Sequence, residues 1–265
     1  MRIGVITGTG TYALAGYGES APEAVSTPYG DALVARGRGD DGLEILHVAR
    51  HGEGHRRLSN QVDHRANVAA LVELEADAVL AVTVCGAVDP DVELGSLIVF
   101  DDLHFLVNRL PDGSLCSFYS EPGDPRRGHW IFGGPFSEEL RSALVAGARS
   151  AGCVHRAEGC YGHVDGPRFN TRAEIRGLAA CGVTAVSQTA GPEAVLCGEA
   201  ELPYALLGYA TDYANGVKDE ATPVEDLLAL IERSTEVFSS ALAATLPALA
   251  GGAGTPAGVV YRFEG

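Results

Sequence analysis

The segment AVLAVTVCG, residues 78–86, is an almost unbroken apolar run that ends in glycine. A second run of the same kind, YALLGYA, occupies residues 204–210. Strands that are continuous in Val, Leu and Ala, without polar alternation, are typical of a sheet covered on both faces. These two runs therefore predict strands at residues 78–84 and 204–210 in a sheet packed between helices.

Further apolar runs alternate with helical patterns on both sides of these two segments. We predict additional strands at residues 2–6, 44–49, 96–100 and 183–187. Helices are predicted at residues 66–76, 136–151, 171–180, 192–200 and 223–246. Two helix starts carry the capping-box pattern, Thr171 with Glu174 and Thr222 with Glu225. This alternation predicts an α/β fold, a single domain with a central mixed sheet flanked by helices.

Composition and charge restrict the classes of function. The chain has 265 residues, 46% of them hydrophobic, which excludes a disordered chain. Its 19 basic and 35 acidic residues give a formal charge of −16, which argues against nucleic-acid or anionic-membrane binding because phosphate groups would be repelled. Six cysteines without CxxC spacing indicate reduced thiols rather than a disulfide framework or a zinc site. With no targeting or membrane-spanning pattern in the sequence, we expect a cytoplasmic protein.

We predict one folded domain over residues 1–250, followed by a Gly-rich tail, 251–265, that is loose or contacts another subunit. The segment 101–134 is rich in Gly, Pro, Asp and Ser and is unusually long for a connection. Long irregular loops in compact domains are usually functional or mobile.

Small and cationic residues directly follow three of the predicted strands. Gly8-Thr9-Gly10 exposes backbone N–H groups and a hydroxyl that suit a phosphate oxygen, although a plain turn at a strand end is the alternative. Ala13 stands where a dinucleotide fingerprint needs its third glycine, so we do not predict a nicotinamide cofactor.

The cluster RHGEGHR, residues 50–56, follows the predicted strand 44–49. Arg50 offers a planar fork for two phosphate oxygens, and His51 adds a donor. Thr83 ends a third strand and could complete the site, whereas the neighbouring Cys85 is interpreted as packing. Because α/β folds bind ligands at the carboxyl ends of strands, the sequence predicts an anion site here. A solvated, charged loop is the alternative.

Five motifs follow one another along the chain: RHGEGHRRLSNQVDHRAN (50–67), TVCG (83–86), VDGPRFNTRAE (164–174), QTAGPEAVLCGEAELPYA (188–205) and ATDY (210–213). Together they resemble the trimeric purine nucleoside phosphorylase family, on its 5′-methylthioadenosine phosphorylase branch, over residues 4–246. The resemblance implies a nucleoside phosphorylase-like α/β domain and a homotrimer that serves purine salvage. It also implies cleavage of a purine nucleoside by inorganic phosphate, which yields free base and pentose 1-phosphate without a metal or organic cofactor.

The resemblance also implies roles for individual residues. The implied phosphate-binding residues are Thr9, Arg50, His51, Thr83 and Thr189, and the implied catalytic residues are Asp212, Arg50 and His51. The implied substrate-binding residues are Phe169, Asn170, Gln188, Asp212, Val224, Leu228 and His129. Of these, Phe169 packs on the purine, and Asp212 faces purine N7 and the 6-substituent. Val224 and Leu228, with Leu227, lie near the 5′ group, and His129 reaches a neighbouring subunit's site.

Two positions depart from the pattern of that branch. Ala214 replaces a second aspartate that helps to recognise a 6-amino group, and Gln188 replaces a methionine that contacts ribose. The side-chain amides of Asn170 and Asn215 can donate as well as accept, so a 6-oxopurine nucleoside is the alternative substrate. An ionised Asp212 would favour the amino group, and an apolar 5′ pocket would favour 5′-methylthioadenosine. For Val224, Leu227 and Leu228 the alternative is that their helical spacing points them into the hydrophobic core rather than into a 5′ pocket. A phosphate-independent hydrolase and a non-catalytic nucleoside-binding protein are the competing functions.

Overall fold

Thirteen strands form two sheets in the computed structural model, which describes residues 1–9, 17–18, 20–39 and 42–263. In chain order the strands are β1 (Arg2–Thr7), β2 (Glu23–Thr27), β3 (Gly30–Arg38), β4 (Glu44–Ala49), β5 (Ala78–Ala87), β6 (Leu97–Val99), β7 (Asp102–His104), β8 (Gly128–Ile131), β9 (His155–Arg156), β10 (Cys160–His163), β11 (Ala185–Ser187), β12 (Tyr204–Tyr213) and β13 (Val259–Arg262). The helices are α1 (His64–Glu73), α2 (Glu138–Ser150), α3 (Arg172–Ala180), α4 (Ala190–Glu199) and α5 (Val224–Thr245), with short 3-10 helices at Glu53–His55, Ser59–Gln61 and Leu246–Gly251.

The central sheet contains eleven of these strands in mixed directions. Its main path runs β2-β3-β4-β1-β5-β11-β10-β7, with β12 on β5, β6 on β12 and β9 on β6. The pairs of β1 with β4 and β5, and of β12 with β5, are parallel, whereas β11 meets β5 antiparallel. The predicted single α/β domain with a central mixed sheet is therefore confirmed.

Apolar cores cover both faces of this sheet. On β1, Ile6 packs into the core with α1 and α4, whereas Ile3 and Val5 pack into the core with α2 and α5. Successive side chains of a strand point to opposite faces, so a strand buried on both sides must be apolar at nearly every position. This is why β5 and β12 have continuous apolar sequences.

Strand β5 changes partners partway along its length. It pairs with β1 up to Ala81, and β11 joins it only at Gly86. The intervening residues of β5 therefore face a gap between the end of β1 and the end of β11. Ligands in open α/β sheets bind where strand connections diverge in this way. The gap positions the candidate site.

Local signals differed in how well they predicted the elements. The Thr171–Glu174 capping box is confirmed, since Thr171 Oγ1 accepts from the Glu174 N–H and the Glu174 carboxylate accepts from the Thr171 N–H. The predicted box at Thr222 is wrong. Pro223 is the N-cap of α5 without a side-chain cap, and the Thr222 hydroxyl accepts from the Tyr213 N–H at 3.0 Å. The Thr222 hydroxyl therefore makes a tertiary contact instead of capping α5.

Several strands were not predicted from the sequence. The hairpin β2–β3 was not predicted because β2 is mostly exposed and has no apolar run. Strand β13 pairs antiparallel with β8, so residues 259–262 of the predicted tail are not loose. The domain boundary at residue 250 stays a prediction. No helix in the described part of the chain is both long and apolar enough to cross a bilayer.

Candidate active site

A cavity of about 320 Å³ opens at the gap beside β5. It is lined by nine of the sequence-predicted site residues: Thr9, Arg50, His51, Thr83, Phe169, Asn170, Gln188, Thr189 and Asp212. Gly10 and Ala13, considered with Thr9 in the sequence, lie outside the described residues. A cavity of this size is at the lower end of the range for small-molecule sites.

Strand register brings the predicted anion-binding residues together. Thr7 and Ala49 are partners in the parallel pair of β1 and β4, and the Arg50 N–H donates to Thr7 O at 3.0 Å. The residues that follow both strands therefore enter the cavity side by side. Thr83 lies on the stretch of β5 that faces the gap between β1 and β11, and its Oγ1 is 3.0 Å from Ser187 Oγ on β11.

Arg50 is held by a buried carboxylate that the sequence analysis did not identify. Its Nε donates to Glu193 Oε1 at 2.6 Å and its Nη2 to Glu193 Oε2 at 2.8 Å, while Nη1 donates to Val82 O at 2.7 Å. Arg50 is 1% exposed and Glu193 is fully buried. The predicted use of this fork for two phosphate oxygens is therefore wrong for the Nε–Nη2 edge.

The ion pair changes the electrostatics of the site. Burial opposes the charge of Arg50, but the Glu193 carboxylate more than offsets that effect, so the pKa of Arg50 is raised. The pair as a unit carries no net charge. An anion bound beside it is recognised mainly by oriented donors rather than by excess positive charge.

His51 lies against Arg50 in an uncharged form. Burial, followed by the adjacent Arg50 charge, lowers the pKa of His51 to about 4. Its Nδ1 is 2.8 Å from Arg57 O, and a carbonyl oxygen can only accept, so Nδ1 carries the proton. In the neutral ring Nε2 is then an acceptor. The predicted donor role of His51 therefore requires protonation, which a bound phosphate dianion would favour.

The N-terminus of α4 forms another wall. Thr189 is the N-cap, yet its side chain makes no capping bond and lines the cavity. The buried Tyr161 hydroxyl accepts instead from the N–H groups of Ala190 at 3.1 Å and Thr189 at 3.4 Å. The Thr189 hydroxyl is thereby left for a ligand, beside the positive end of a helix dipole.

Asp212, on β12, lies beside Gly86 of β5 in the wall of the cavity. Among the described residues lining the cavity, it alone carries a carboxyl group. Burial raises the pKa of Asp212, and the hydrogen bond from Thr211 Oγ1 at 2.9 Å only partly counters this. A Cβ at Gly86 would come within 3.2 Å of Asp212 Oδ2, so glycine there leaves space for the carboxyl group.

Gln188 bridges two loops that border the cavity. Its Oε1 accepts from Ser59 Oγ at 2.8 Å, and its Nε2 donates to Arg168 O at 3.0 Å. The approach is close, since a Cβ at Gly166 would lie 2.0 Å from Gln188 Oε1. Each end of the Gln188 amide therefore makes one bond to protein and keeps one further site, a lone pair on Oε1 and an N–H on Nε2, so a direct contact with a sugar is compatible with both bonds.

The outer rim carries an aromatic ring and two amides. Phe169 is 62% exposed at the cavity mouth, just before the capped start of α3. Asn215 Nδ2 donates to Asn170 O at 2.7 Å, and Asn170 Nδ2 donates to Glu174 Oε2 at 3.3 Å. These bonds join the loop after β12 to the loop before α3 and leave the side-chain oxygens of both amides as acceptors.

Three predicted substrate residues lie away from this cavity. Val224 and Leu228 are 68% and 59% exposed, whereas Leu227, which was also considered for the 5′ group, lines the cavity together with Ile231. Residues four apart share a helix face, so Val224 and Leu228 lie on the face of α5 next to the one that lines the cavity. His129 lies on β8, where its ring contacts Phe263 at 5.5 Å between centroids.

Other lining residues were missed or given no role in the sequence analysis. They are His55, Leu58, Ser59, Val84, Val164, Pro167, Ile175, Val186, Ser187 and Thr211. His55 stacks on His51 with ring centroids 4.2 Å apart. Cys85 also lines the cavity, but burial raises the pKa of its thiol, so it stays protonated. For Glu193 a signal existed, since a carboxylate inside the apolar run AGPEAVLCG requires a buried partner.

Comparison with known proteins places this geometry in a family. Residues 2–247 match the phosphorylase superfamily. A probable 6-oxopurine nucleoside phosphorylase of Thermococcus kodakarensis is 36% identical over 242 residues, which cover 89% of this chain and 88% of the relative. A probable S-methyl-5′-thioinosine phosphorylase of Xanthomonas campestris pv. campestris is 34% identical over 256 residues, with 95% and 98% coverage.

A solved structure agrees with these relatives. Methylthioadenosine phosphorylase from Schistosoma mansoni, in complex with adenine, superposes with a TM-score of 0.81 at 28% identity, and the match covers 95% of this chain and 92% of that one. The match of sequence and fold extends over nearly the whole molecule, including every strand that borders the cavity. The chain therefore belongs to the phosphorylase superfamily.

Proposed function

We propose that the protein cleaves purine nucleosides with inorganic phosphate, giving free base and pentose 1-phosphate. The observation that carries this proposal is the polarity of one cavity. Hydroxyl and guanidinium donors from Thr9, Thr83, Thr189 and Arg50 line it, with Arg50 Nη1 on Val82 O, and the partly buried carboxyl group of Asp212 lies beside Gly86, four residues further along β5. A hydrolase would need the second group but not the first.

The chemistry follows from where charge develops. As the glycosidic bond breaks, positive charge grows on the sugar, so a phosphate held beneath C1′ stabilises the transition state and then attacks. The leaving purine gains negative charge, which a proton or hydrogen bond at N7 relieves. The raised pKa of Asp212 keeps its carboxyl group protonated over a wider range, so that it can supply this proton. No metal or organic cofactor is needed in this scheme.

The sugar and base preferences follow from the walls of the cavity. Leu227 and Ile231 supply apolar surface from α5, which favours a 5′-alkylthio group over a free hydroxyl. We therefore propose 5′-methylthioadenosine or a related 5′-modified nucleoside as substrate. A 6-oxopurine is the second candidate. It is favoured by the buried Ala214 in place of an acceptor and by the proton that Asp212 can donate to O6.

We also propose that the protein acts as a homotrimer in cytoplasmic purine salvage. Phe169 is exposed at the cavity mouth, and Val224 and Leu228 are large apolar side chains exposed on the neighbouring face of α5. A neighbouring subunit would cover them, and His129 would reach into the neighbour's cavity. This arrangement would close the open side of each site.

The test is release of base from four nucleosides, each with and without phosphate. Adenosine, inosine, 5′-methylthioadenosine and 5′-methylthioinosine vary the base and the 5′ group independently. Phosphate-dependent cleavage, faster for both methylthio compounds, supports the proposed activity and its apolar 5′ site. Equal cleavage without phosphate would indicate a hydrolase, and no cleavage of any of the four would contradict an enzymatic role.

A further inference from the structure

Glu193 lies outside the cavity but holds Arg50, the one arginine among the described residues that line it. Its two carboxylate oxygens accept from Nε and Nη2 of Arg50, and Val82 O accepts from Nη1. A guanidinium group has five N–H donors, so these three bonds leave two for a ligand. The remaining donors are on Nη1 and Nη2, at the end of the guanidinium group.

The guanidinium group has little freedom to turn. A Cβ at Gly8 would lie 2.7 Å from Arg50 Nη1, so the backbone of the Gly8 turn packs directly on the group. Glu193 is itself fixed, because the buried Tyr204 hydroxyl donates to its Oε2 at 3.2 Å. Glu193 lies in the first turn of α4, the helix whose N-cap, Thr189, lines the cavity. One buried carboxylate thus connects two walls of the anion site.

We propose that Glu193 is a positioning residue for the phosphate co-substrate, which orients the Arg50 guanidinium so that its two remaining N–H groups meet the phosphate. The proposal rests on the proposed function. It differs from a role in charge balance alone, in which Glu193 would only make the burial of Arg50 tolerable. The two roles predict opposite changes in anion binding.

The experiment compares three variants of the full-length protein. Glu193→Gln removes one acceptor and the negative charge at unchanged size. Tyr204→Phe removes only the hydroxyl that fixes Glu193. Glu199→Gln is the matched control, since Glu199 lies on the same helix and accepts from the Phe118 N–H rather than from Arg50. The readouts are the KM for phosphate, the KM for nucleoside, inhibition by sulfate and calorimetric binding of phosphate.

For positioning, we expect Glu193→Gln to raise the phosphate KM and to lower kcat/KM for phosphate about 100-fold, the loss expected from a small displacement of a binding group. The nucleoside KM should change less than about threefold. Tyr204→Phe should change the phosphate KM in the same direction by a smaller factor, and Glu199→Gln should leave it unchanged.

A role in charge balance alone would give the opposite result. The unbalanced Arg50 charge would then lower the phosphate KM and tighten sulfate inhibition in Glu193→Gln, and either that result or an unchanged phosphate KM overturns the proposal. If Glu193→Gln does not fold, Tyr204→Phe decides, because Arg50 and Glu193 both remain in place. Failure of the proposed function is distinguishable: the wild-type protein would then bind no phosphate and release base equally without it, which overturns the inference as well.

Discussion

Asp212 illustrates how one residue's surroundings determine which substrate it suits. An ionised carboxylate would repel the O6 of a 6-oxopurine, but burial raises the pKa of Asp212 and preserves a proton that can be donated. The same protonated group can serve N7 of either base class. In the proposed reaction, the choice between bases therefore depends on the neighbours of Asp212, above all on Ala214, which offers no second acceptor.

Replacing Asp212 separates proton donation from hydrogen bonding. Asp212→Ala should lower kcat/KM about 100- to 10,000-fold, the contribution typical of a general acid. Asp212→Asn can donate a hydrogen bond but cannot transfer a proton, so it should keep more activity towards inosine than towards adenosine. Because the protonated form is the active one, wild-type activity should fall as pH rises through the raised pKa.

The measurement is a pH profile of kcat/KM for the wild type and both variants, with circular dichroism as the check on folding. The alkaline fall should be absent in Asp212→Asn. Turnover near the wild-type level in Asp212→Ala would remove Asp212 from its proposed role.

The residues of the site were only partly predictable for a physical reason. Arg50 and His51 adjoin a strand end, and local sequence shows that. The partner of Arg50 is 143 positions away, so nothing beside Arg50 in the sequence indicates that its fork is occupied. The proton on His51 Nδ1 depends in the same way on the position of a backbone carbonyl. Local sequence predicted which groups enter the cavity but not which of their donors are free.

At the scale of elements, two identical capping patterns had different outcomes. Thr171 caps α3, whereas the Thr222 hydroxyl accepts from the Tyr213 N–H at the end of β12. Strands buried on both faces could be predicted because they are apolar at nearly every position. Edge elements such as β2 could not, because their position depends on pairing with β3 rather than on burial.

The capped start of α3 connects stability with the site, because Phe169 lies two residues before Thr171. Thr171→Ala removes the bond from the Glu174 N–H and should lower the free energy of unfolding by about 1 kcal/mol. It should also raise the nucleoside KM, because the segment that carries Phe169 would no longer be anchored to the start of α3. Ser137→Ala is the control, because Ser137 is the N-cap of α2 without a side-chain cap bond. Equal losses in urea unfolding for the two variants would contradict the capping role.

At the scale of the whole molecule, the proposed trimer requires residues from two chains at each site. His129 and Asp212 would then act on the same substrate from different subunits. His129→Ala and Asp212→Ala should each be impaired alone. When the two variants are refolded together, the mixture should regain part of the activity. Some of its sites would combine an intact Asp212 with an intact His129 from a neighbouring subunit.

The measurement is turnover of the refolded mixture against each variant refolded alone, with the mass in solution determined by light scattering. A mixture no more active than the sum of its parts would contradict a shared site. A monomeric mass would contradict the trimer itself.

Buried histidines make the stability of the whole fold depend on pH. Burial lowers the pKa of His51 to about 4 and of His163 to about 3, and holds that of His64 well below its usual range. The unfolded chain binds these protons near pH 6.5, about 2 units or more before the folded chain does. Stability should therefore be full above that pH and fall as the solution is acidified. Asp212 and Glu199 oppose the trend, since their raised pKa values favour folding at lower pH.

His163 isolates this effect, because burial alone lowers its pKa and its Nδ1 has no hydrogen-bond partner in the described structure. Between pH 6 and pH 4, one such proton should steepen the loss of unfolding free energy by about 1.4 kcal/mol per pH unit. His163→Phe removes the proton and should flatten the slope by that amount, whatever its effect on stability at neutral pH. Phe105→Leu alters the ring contact with His163 without removing a titrating group, so its slope should match the wild type. Urea unfolding between pH 6 and pH 4, at fixed protein concentration, measures the slope for the wild type and for both variants. Parallel slopes for His163→Phe and the wild type would show that His163 takes up its proton without unfolding the protein.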